Sequence, residues 1–593
     1  MCGIAGEIAF RGARAETSPV ARMAATMTDR GPDGSGAWSS GWVALGHQRL
    51  SIIDLSDAGH QPMVDEELGL SIVFNGCIYN HHELRRELRT RYAFASTSDT
   101  EVLLKAYDCW GDDFVDHLVG MFAIVLVDTR RDRVVLIRDR LGIKPLYLAE
   151  LPDRLRFAST LPALVAGGGI DTGLDPVGLH HYLTWHSIVP APRTILRGVQ
   201  KLPAATMSVI EPDGSRRDRV YWRPEYVRDP DRAGWSREDW RDAVRGSLRT
   251  AVERRLVADV GVGVLLSGGL DSSLIVALLA EAGQSDLQTF SIGFEGAGGE
   301  EGDEFVYSDL VAEQFGTRHQ RLRVDVDEFV PGISRAVTAM PEPMSSHDVT
   351  AFYLLSQEVA RHVKVVQSGQ GADEVFAGYG YHQPLATAPR SAARDLFVDA
   401  FFDHRHAELA QILEPGWLPS TDPSLDVVTE HLAAPGAETA LDAVLRLDTH
   451  LLMVDDPVKR LDSMSMAASV EARVPFLDHD VVALAATCPP GLKTAAAGKG
   501  VLKDVARQLL PGRLIDRPKG YFPVPALKHL DEPFLGLVRD ALYAPEAKER
   551  ELLRPGYVDG LLARPNEART RTGANSLWVL AVLEIWLQQH GVG

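Results

Sequence analysis

Cys2 lies in Met1-Cys2-Gly3-Ile4-Ala5-Gly6, so removal of the initiator methionine leaves a cysteine as the first residue. That residue would carry a thiol nucleophile and a free α-amine together. With reference pKa values of about 7.7–8.0 for the amine and about 8.5 for the thiol, the amine can take the thiol's proton near neutral pH. A nucleophile activated by its own N-terminus is a route to covalent acyl chemistry. A thiol attacking an amide also needs donors for the tetrahedral oxyanion. Asn75-Gly76, directly after the apolar run 71–74, offers an amide side chain and a backbone N–H at a strand end. The substrate needs an anchor as well. If it is glutamine, Arg49 in Arg49-Leu50-Ser51-Ile52-Ile53 can clamp the α-carboxylate through two hydrogen bonds, and Asp99 in Ser98-Asp99-Thr100-Glu101 can pair with the α-ammonium.

A second constellation lies far downstream. Leu265-Leu266-Ser267-Gly268-Gly269-Leu270-Asp271-Ser272-Ser273 follows a buried apolar run and opens a helical one. A glycine-rich turn at such a junction aims backbone N–H groups and the positive helix end at an anion. The lysine of a Walker loop is missing, so the turn suits a pyrophosphate leaving group better than γ-phosphate transfer. Asp271 beside a phosphate site makes sense with a divalent cation between them. Ser368-Gly369-Gln370-Gly371-Ala372-Asp373-Glu374 again follows an apolar run, and Asp373 is the second expected metal ligand. Each turn alone is weak; the pair, each with an aspartate, is strong.

These residues need two different frames. Up to about residue 210, short apolar strands alternate with turns: 71–74, then 122–127 and 134–137 around a charged turn, with helical periodicity over 82–89 and 100–110. That pattern predicts a mixed α/β layered domain. After a charged, turn-rich stretch, helices alternate with the apolar runs 262–266, 288–292 and 363–366, which predicts a parallel sheet with helices on both faces. At 593 residues the chain has room for two such domains. The net charge of -20 argues against a general nucleic-acid binder. The 4 cysteines, without metal-type spacing, argue against a disulfide scaffold. No apolar run reaches the roughly 18 residues of a membrane span and no secretory signal opens the chain, so a cytoplasmic protein is expected. His47, His60, His81 and His82 are read as structural, and the stripe containing Trp578 and Trp586 as core packing.

The motifs resemble a known family. Cys2-Gly3-Ile4, Arg30-Gly31-Pro32-Asp33, Arg49-Leu50-Ser51-Ile52, Asn75-Gly76 and Asp139-Arg140-Leu141-Gly142-Ile143-Lys144-Pro145-Leu146-Tyr147 resemble the class II glutamine amidotransferase domain. Ser267-Gly268-Gly269-Leu270-Asp271-Ser272-Ser273, the run 368–379 and Ser469-Val470-Glu471-Ala472-Arg473-Val474-Pro475-Phe476-Leu477-Asp478 resemble the asparagine synthetase domain. The resemblance implies an α/β protein in two parts: an αββα Ntn-hydrolase-type domain over 1–215 and a parallel-sheet, PP-loop ATP-pyrophosphatase domain over 239–593, joined by a linker at 216–238. It implies glutamine hydrolysis through a Cys2 thioester, with Asn75 and Gly76 as oxyanion hole. Arg49, Leu50, Ser51, Ile52, Ile53, Asn75, Gly76, Cys77 and Asp99 would surround glutamine. Ammonia would pass through an internal tunnel to an acyl-adenylate made from ATP. Leu265, Ser267, Gly268, Gly269, Asp271, Ser272, Ile292, Ser368 and Gly369 match the nucleotide contacts, Asp271 and Asp373 would hold Mg²⁺, and Lys499 matches the lysine that stabilises charge during adenylation. Partners are thus glutamine, ATP and a small carboxylate, with no nucleic acid or membrane; the assembly stays open, a homodimer being the one considered.

Two departures bear on the carboxylate. Family members usually carry Glu where Gln370 stands at the acyl-intermediate site, and Glu where Cys77 stands. These, with Arg517-Pro518-Lys519-Gly520-Tyr521-Phe522-Pro523-Val524-Pro525 and Trp185-His186-Ser187-Ile188-Val189-Pro190, are most similar to the N-acetylglutaminylglutamine amidotransferase branch. The alternatives are asparagine synthetase acting on aspartate, a β-lactam synthetase-like cyclase, which would not need the Cys2 set, and a non-catalytic homologue, which predicts eroded site residues.

Overall fold

The computed structural model describes residues 2–296, 302–517 and 524–592. The first domain is built from β1 (Gly3–Ala9), β2 (Gly34–Ser40), β3 (Val43–Arg49), β4 (Met63–Asp65), β5 (Leu70–Ile78), β6 (Gly120–Asp128), β7 (Arg133–Arg138), β8 (Tyr147–Leu151), β9 (Arg154–Ala158), β10 (Gln200–Lys201), β11 (Thr206–Ile210) and β12 (Arg216–Val220). They form two 6-stranded antiparallel sheets, ordered β10-β8-β9-β1-β3-β2 and β12-β11-β7-β6-β5-β4. Side-chain alternation explains the layering. Ile4, Ile8, Val43 and Leu45 of one sheet meet Val73, Ala123, Val125 and Leu136 of the other in a shared core. The opposite faces carry Ala5 and Ala44, covered by α1 (Thr17–Ala25), and Ile72, Phe74, Ile124 and Leu126, covered by α2 (His81–Leu88) and α3 (Asp99–Trp110). This is the αββα arrangement the resemblance implies. The expected hairpin is present, with Asp128 paired to Arg133.

Residues 216–220, assigned to the linker from sequence, instead pair antiparallel with β11, Thr206 opposite Val220. The charged pattern Arg216-Arg217-Asp218-Arg219 is that of an exposed edge strand, and the last strand of the first domain ends at Val220.

The second domain has a 5-stranded sheet ordered β15-β14-β13-β16-β17. Its strands are β13 (Val262–Leu265), β14 (Gln288–Phe294), β15 (Arg318–Val324), β16 (Val365–Gln367) and β17 (Glu471–Arg473), and every pair is parallel. Helices between them, such as Leu270–Glu281, Phe305–Phe315 and Val349–Val359, bury the faces. The chain runs outward from β13 to β14 on one side and to β16 on the other. The carboxyl ends of β13 and β16 therefore flank the point where strand order reverses, where open α/β sheets bind ligands. Trp578 and Trp586 are buried, and their indole N–H groups donate to Ser345 and Met340 carbonyls at 3.0 Å each. Of the segment 517–525, residues 518–523 lie outside the described residues. Among the described residues no helix is long and apolar enough to cross a membrane.

The domains meet over polar contacts, the innermost of them buried. Asp462, on the helix Lys459–Met466, accepts from Arg30 Nη2 and Lys144 Nζ of the first domain, each at 2.9 Å. Asp259 Oδ2 accepts from Asp54 N at 2.8 Å, and Lys364 pairs with Asp33 at 2.7 Å.

Candidate functional site

The first cavity opens at the ends of β3 and β5. Cys2 precedes β1, Arg49 ends β3, Asn75-Gly76-Cys77 lies near the end of β5, and Asp99 is the first residue of α3. Cys2, Arg49, Leu50, Ile52, Ile53, Gly76, Cys77 and Asp99 all line this cavity. Ser51 does not; its N–H donates to Asp33 Oδ2 at 2.7 Å. Asn75 is buried next to the lining residue Gly76, and its Oδ1 accepts from Cys2 N at 3.0 Å. Asn75 Nδ2 is buried and, among the described residues, has no hydrogen-bond partner. Such a donor is costly unless something accepts from it, and an oxyanion is one acceptor. Gly76 is required sterically, because a Cβ there would sit 2.1 Å from the Met121 carbonyl oxygen.

Arg49 is aimed by the turn that follows it, donating through Nη1 to the Ser56 carbonyl at 2.8 Å and through Nη2 to that of Asp54. A side chain at Gly59 would collide with the guanidinium, 2.2 Å from Nη2. Ser98 caps α3, its Oγ accepting from Thr100 N at 3.1 Å, which places Asp99 at the positive helix end. Asp99 Oδ2 accepts from Ile78 N at 3.0 Å. Burial nonetheless raises its carboxyl to about 6, and Glu471 adds to the rise. Burial also pushes the Cys2 thiol above its ordinary value, with Arg49 among the opposing charges. His47 is buried, its Nε2 3.4 Å from the Phe74 carbonyl, and is absent from the cavity lining. Burial drives it down to about 3, so it stays neutral.

Sequence reasoning missed Gly59, Gln61 and Glu471 as cavity residues. Gln61 was readable only through its partners: Oε1 accepts from Phe74 N at 2.7 Å and Nε2 donates to Thr100 Oγ1 at 3.2 Å. Glu471 was visible as a motif member, with nothing to place it against the first domain.

The second cavity, about 610 Å³, lies over the ends of β13 and β16. Leu265, Ser267, Gly269, Asp271, Ser272, Ile292, Ser368, Gly369, Gln370, Asp373 and Lys499 line it; Gly268 does not. Gly268 instead makes the turn, with φ +72 and a Cβ position 2.5 Å from Ser308 N. Ser272 Oγ accepts from Ser267 N at 3.2 Å and ties the loop to the helix it opens. A Cβ on Gly369 would lie 2.9 Å from that of Asp271, so the two loops touch only because this residue is glycine. Lys499 Nζ reaches both carboxylates, Asp271 at 2.6 Å and Asp373 at 2.8 Å. The aspartates thus converge on one point with oxygen ligands of the kind a hard divalent cation takes, so the residues fit Mg²⁺. Burial works against the Lys499 ammonium, but Asp271 and Asp373 outweigh it and hold its pKa above the ordinary value. Behind the cavity, Tyr379 O–H donates to Glu374 at 2.6 Å, and burial raises that carboxyl to about 7.

Residues 1–222 match the glutamine amidotransferase domain family and residues 243–588 the asparagine synthase family. Asparagine synthetase (glutamine-hydrolyzing) 1 of Bacillus subtilis is 30% identical over 624 residues, covering 99% of this chain and 96% of that protein. Asparagine synthetase (glutamine-hydrolyzing) 3 of the same organism is 32% identical, covering 88% and 87%. A Penicillium rubens protein named amidase chyE is 31% identical over 64% of this chain and 59% of its own.

Proposed function

As the chain belongs to the asparagine synthetase family of glutamine-dependent carbon–nitrogen ligases, we propose that its acceptor is the C-terminal carboxyl of the acylated dipeptide N-acetylglutaminylglutamine. In the first cavity Cys2 is the nucleophile. Its sulfur adds to the glutamine carboxamide, the α-amine of Cys2 takes the thiol proton, and Asn75 Nδ2 with the Gly76 N–H receives the oxyanion. Collapse releases ammonia and leaves a thioester, which water hydrolyses to glutamate. Arg49 holds the α-carboxylate and Asp99 the α-ammonium.

In the second cavity the acceptor carboxylate displaces pyrophosphate from the α-phosphorus of ATP, giving an acyl-adenylate. Ammonia then attacks the acyl carbon, and the amide and AMP leave. The loop at 267–272 and the walls Ile292, Ser368 and Gly369 orient the nucleotide. Asp271 and Asp373 would hold Mg²⁺, which would supply neutralisation of charge on the pyrophosphate leaving group. Lys499 sits where negative charge builds during adenylation. A small space between the domains, walled by Arg30, Ile143, Tyr147 and Asp462, lies along the interface that a tunnel for ammonia would follow. Carrying ammonia internally keeps its effective concentration high.

The observation that carries the acceptor reading is Gln370 on the cavity wall. Free aspartate brings an α-ammonium that needs a negative partner, whereas an acetylated peptide has no such charge and a neutral amide suits it. The aspartate reading is favoured by the names of the Bacillus subtilis relatives. ATP–pyrophosphate exchange separates the two: the dipeptide is expected to support exchange and aspartate not to, and the reverse pattern would replace this acceptor with aspartate.

A further inference from the structure

Strand β17 puts a carboxylate of the second domain inside the cavity of the first. Glu471 is buried and lines that cavity with Cys2, Arg49, Gly76, Cys77 and Asp99. Its Oε1 accepts from Arg473 Nε at 2.5 Å. The Arg473 guanidinium is fixed in turn: Nη1 donates to the carbonyls of Arg255 and Val257 at 2.8 Å each, and Nη2 lies 3.5 Å from Cys77 Sγ. A carboxylate hung on so constrained a partner is set in place before any ligand arrives. Burial alone would raise the Glu471 carboxyl, but Arg473 together with the other nearby positive charges, Lys144 among them, keeps it below the usual range. Among the described residues the cavity lining carries two acidic side chains, Asp99 and Glu471, the latter already paired with Arg473, and one cationic side chain, Arg49. That balance suits a ligand bearing one carboxylate and one ammonium.

We infer that Glu471, supplied by the second domain, is a specificity-determining residue that reads the α-ammonium of glutamine together with Asp99, a task for which Cys77 offers no charge. The inference rests on the glutaminase reading of the first cavity. Its consequence is that the glutamine site is complete only when both domains are docked. β17 also pairs with β16, and the Ser368 N–H donates to the Arg473 carbonyl at 2.8 Å, so the strand that reads glutamine also supports a wall of the nucleotide cavity.

The test compares release of ammonia from glutamine and from glutaramate, the same skeleton without the α-amine, using the full-length protein. Wild type is expected to prefer glutamine strongly. In Glu471→Gln the ratio of kcat/KM for glutamine over glutaramate should fall on the order of tenfold to a hundredfold, mostly through KM for glutamine. Glu471→Asp, which keeps the charge, should retain most of the preference, and adding Cys77→Glu to Glu471→Gln should restore it. Equal losses on both amides, or an unchanged ratio, would overturn the inference while leaving Cys2 as nucleophile. A wild type that releases ammonia from neither compound would refute the glutaminase reading and this inference with it.

Discussion

Cys2 and Asp99 carry the sharpest consequences at the scale of single residues. Cys2→Ala removes the only side chain in the first cavity proposed to form a covalent bond with glutamine. Glutamine-dependent amide formation should fall by at least about a thousandfold, while synthesis driven by added ammonium continues. Loss of both activities would make Cys2 structural. Asp99 makes a pH prediction. Burial raises its carboxyl to about 6, so below that pH the free enzyme loses the charge that holds the glutamine ammonium. kcat/KM for glutamine should then drop by about tenfold per pH unit. Activity with ammonium, corrected for the fraction present as NH3, should lack that step. Lys499 is held by Asp271 and Asp373 at 2.6 and 2.8 Å, so Lys499→Met deprives two half-buried carboxylates of their shared cation. Adenylation, followed by ATP–pyrophosphate exchange, should fall by about a hundredfold or more while hydrolysis of glutamine persists.

The secondary-structure elements explain why those residues can be where they are. The loop after β13 turns at Gly268, whose φ is +72 and whose Cβ position overlaps the Ser308 backbone. Gly268→Ala should strain the loop by about 1–3 kcal/mol, raise KM for ATP, and leave glutamine hydrolysis intact. Much of this architecture was legible in sequence. The apolar runs 122–127 and 134–137 around a charged turn gave the hairpin, and the two glycine-rich turns after apolar runs gave the nucleotide loops. The edge strand at 216–220 was not legible, because a charged, turn-flanked segment reads as linker until a partner strand is known. The same limit hid Gly59 and Gln61. Their roles depend on a guanidinium and a strand amide brought to them by folding, and no local periodicity encodes that.

For the whole molecule, the decisive feature is that the two cavities share an interface. Glu471 illustrates why sequence could not show it: its motif belongs to the second domain, and its placement beside Cys2 exists only once the domains dock. Asp462 receives both Arg30 and Lys144 from the first domain, with all three buried. Asp462→Asn would leave two buried cations without their anion, at a cost of about 3–5 kcal/mol. The expected signs are a lower thermal transition and glutamine consumption in excess of amide formed. The central claim concerns where glutamine nitrogen ends up, and one measurement addresses it directly. Purified protein is given ATP, Mg²⁺, amide-¹⁵N-glutamine and an equal mixture of N-acetylglutaminylglutamine and aspartate, with unlabelled ammonium as competitor, and products are resolved by mass. The account predicts ¹⁵N in the dipeptide amide, little dilution by the ammonium, and no labelled asparagine. Labelled asparagine with an untouched dipeptide would contradict it.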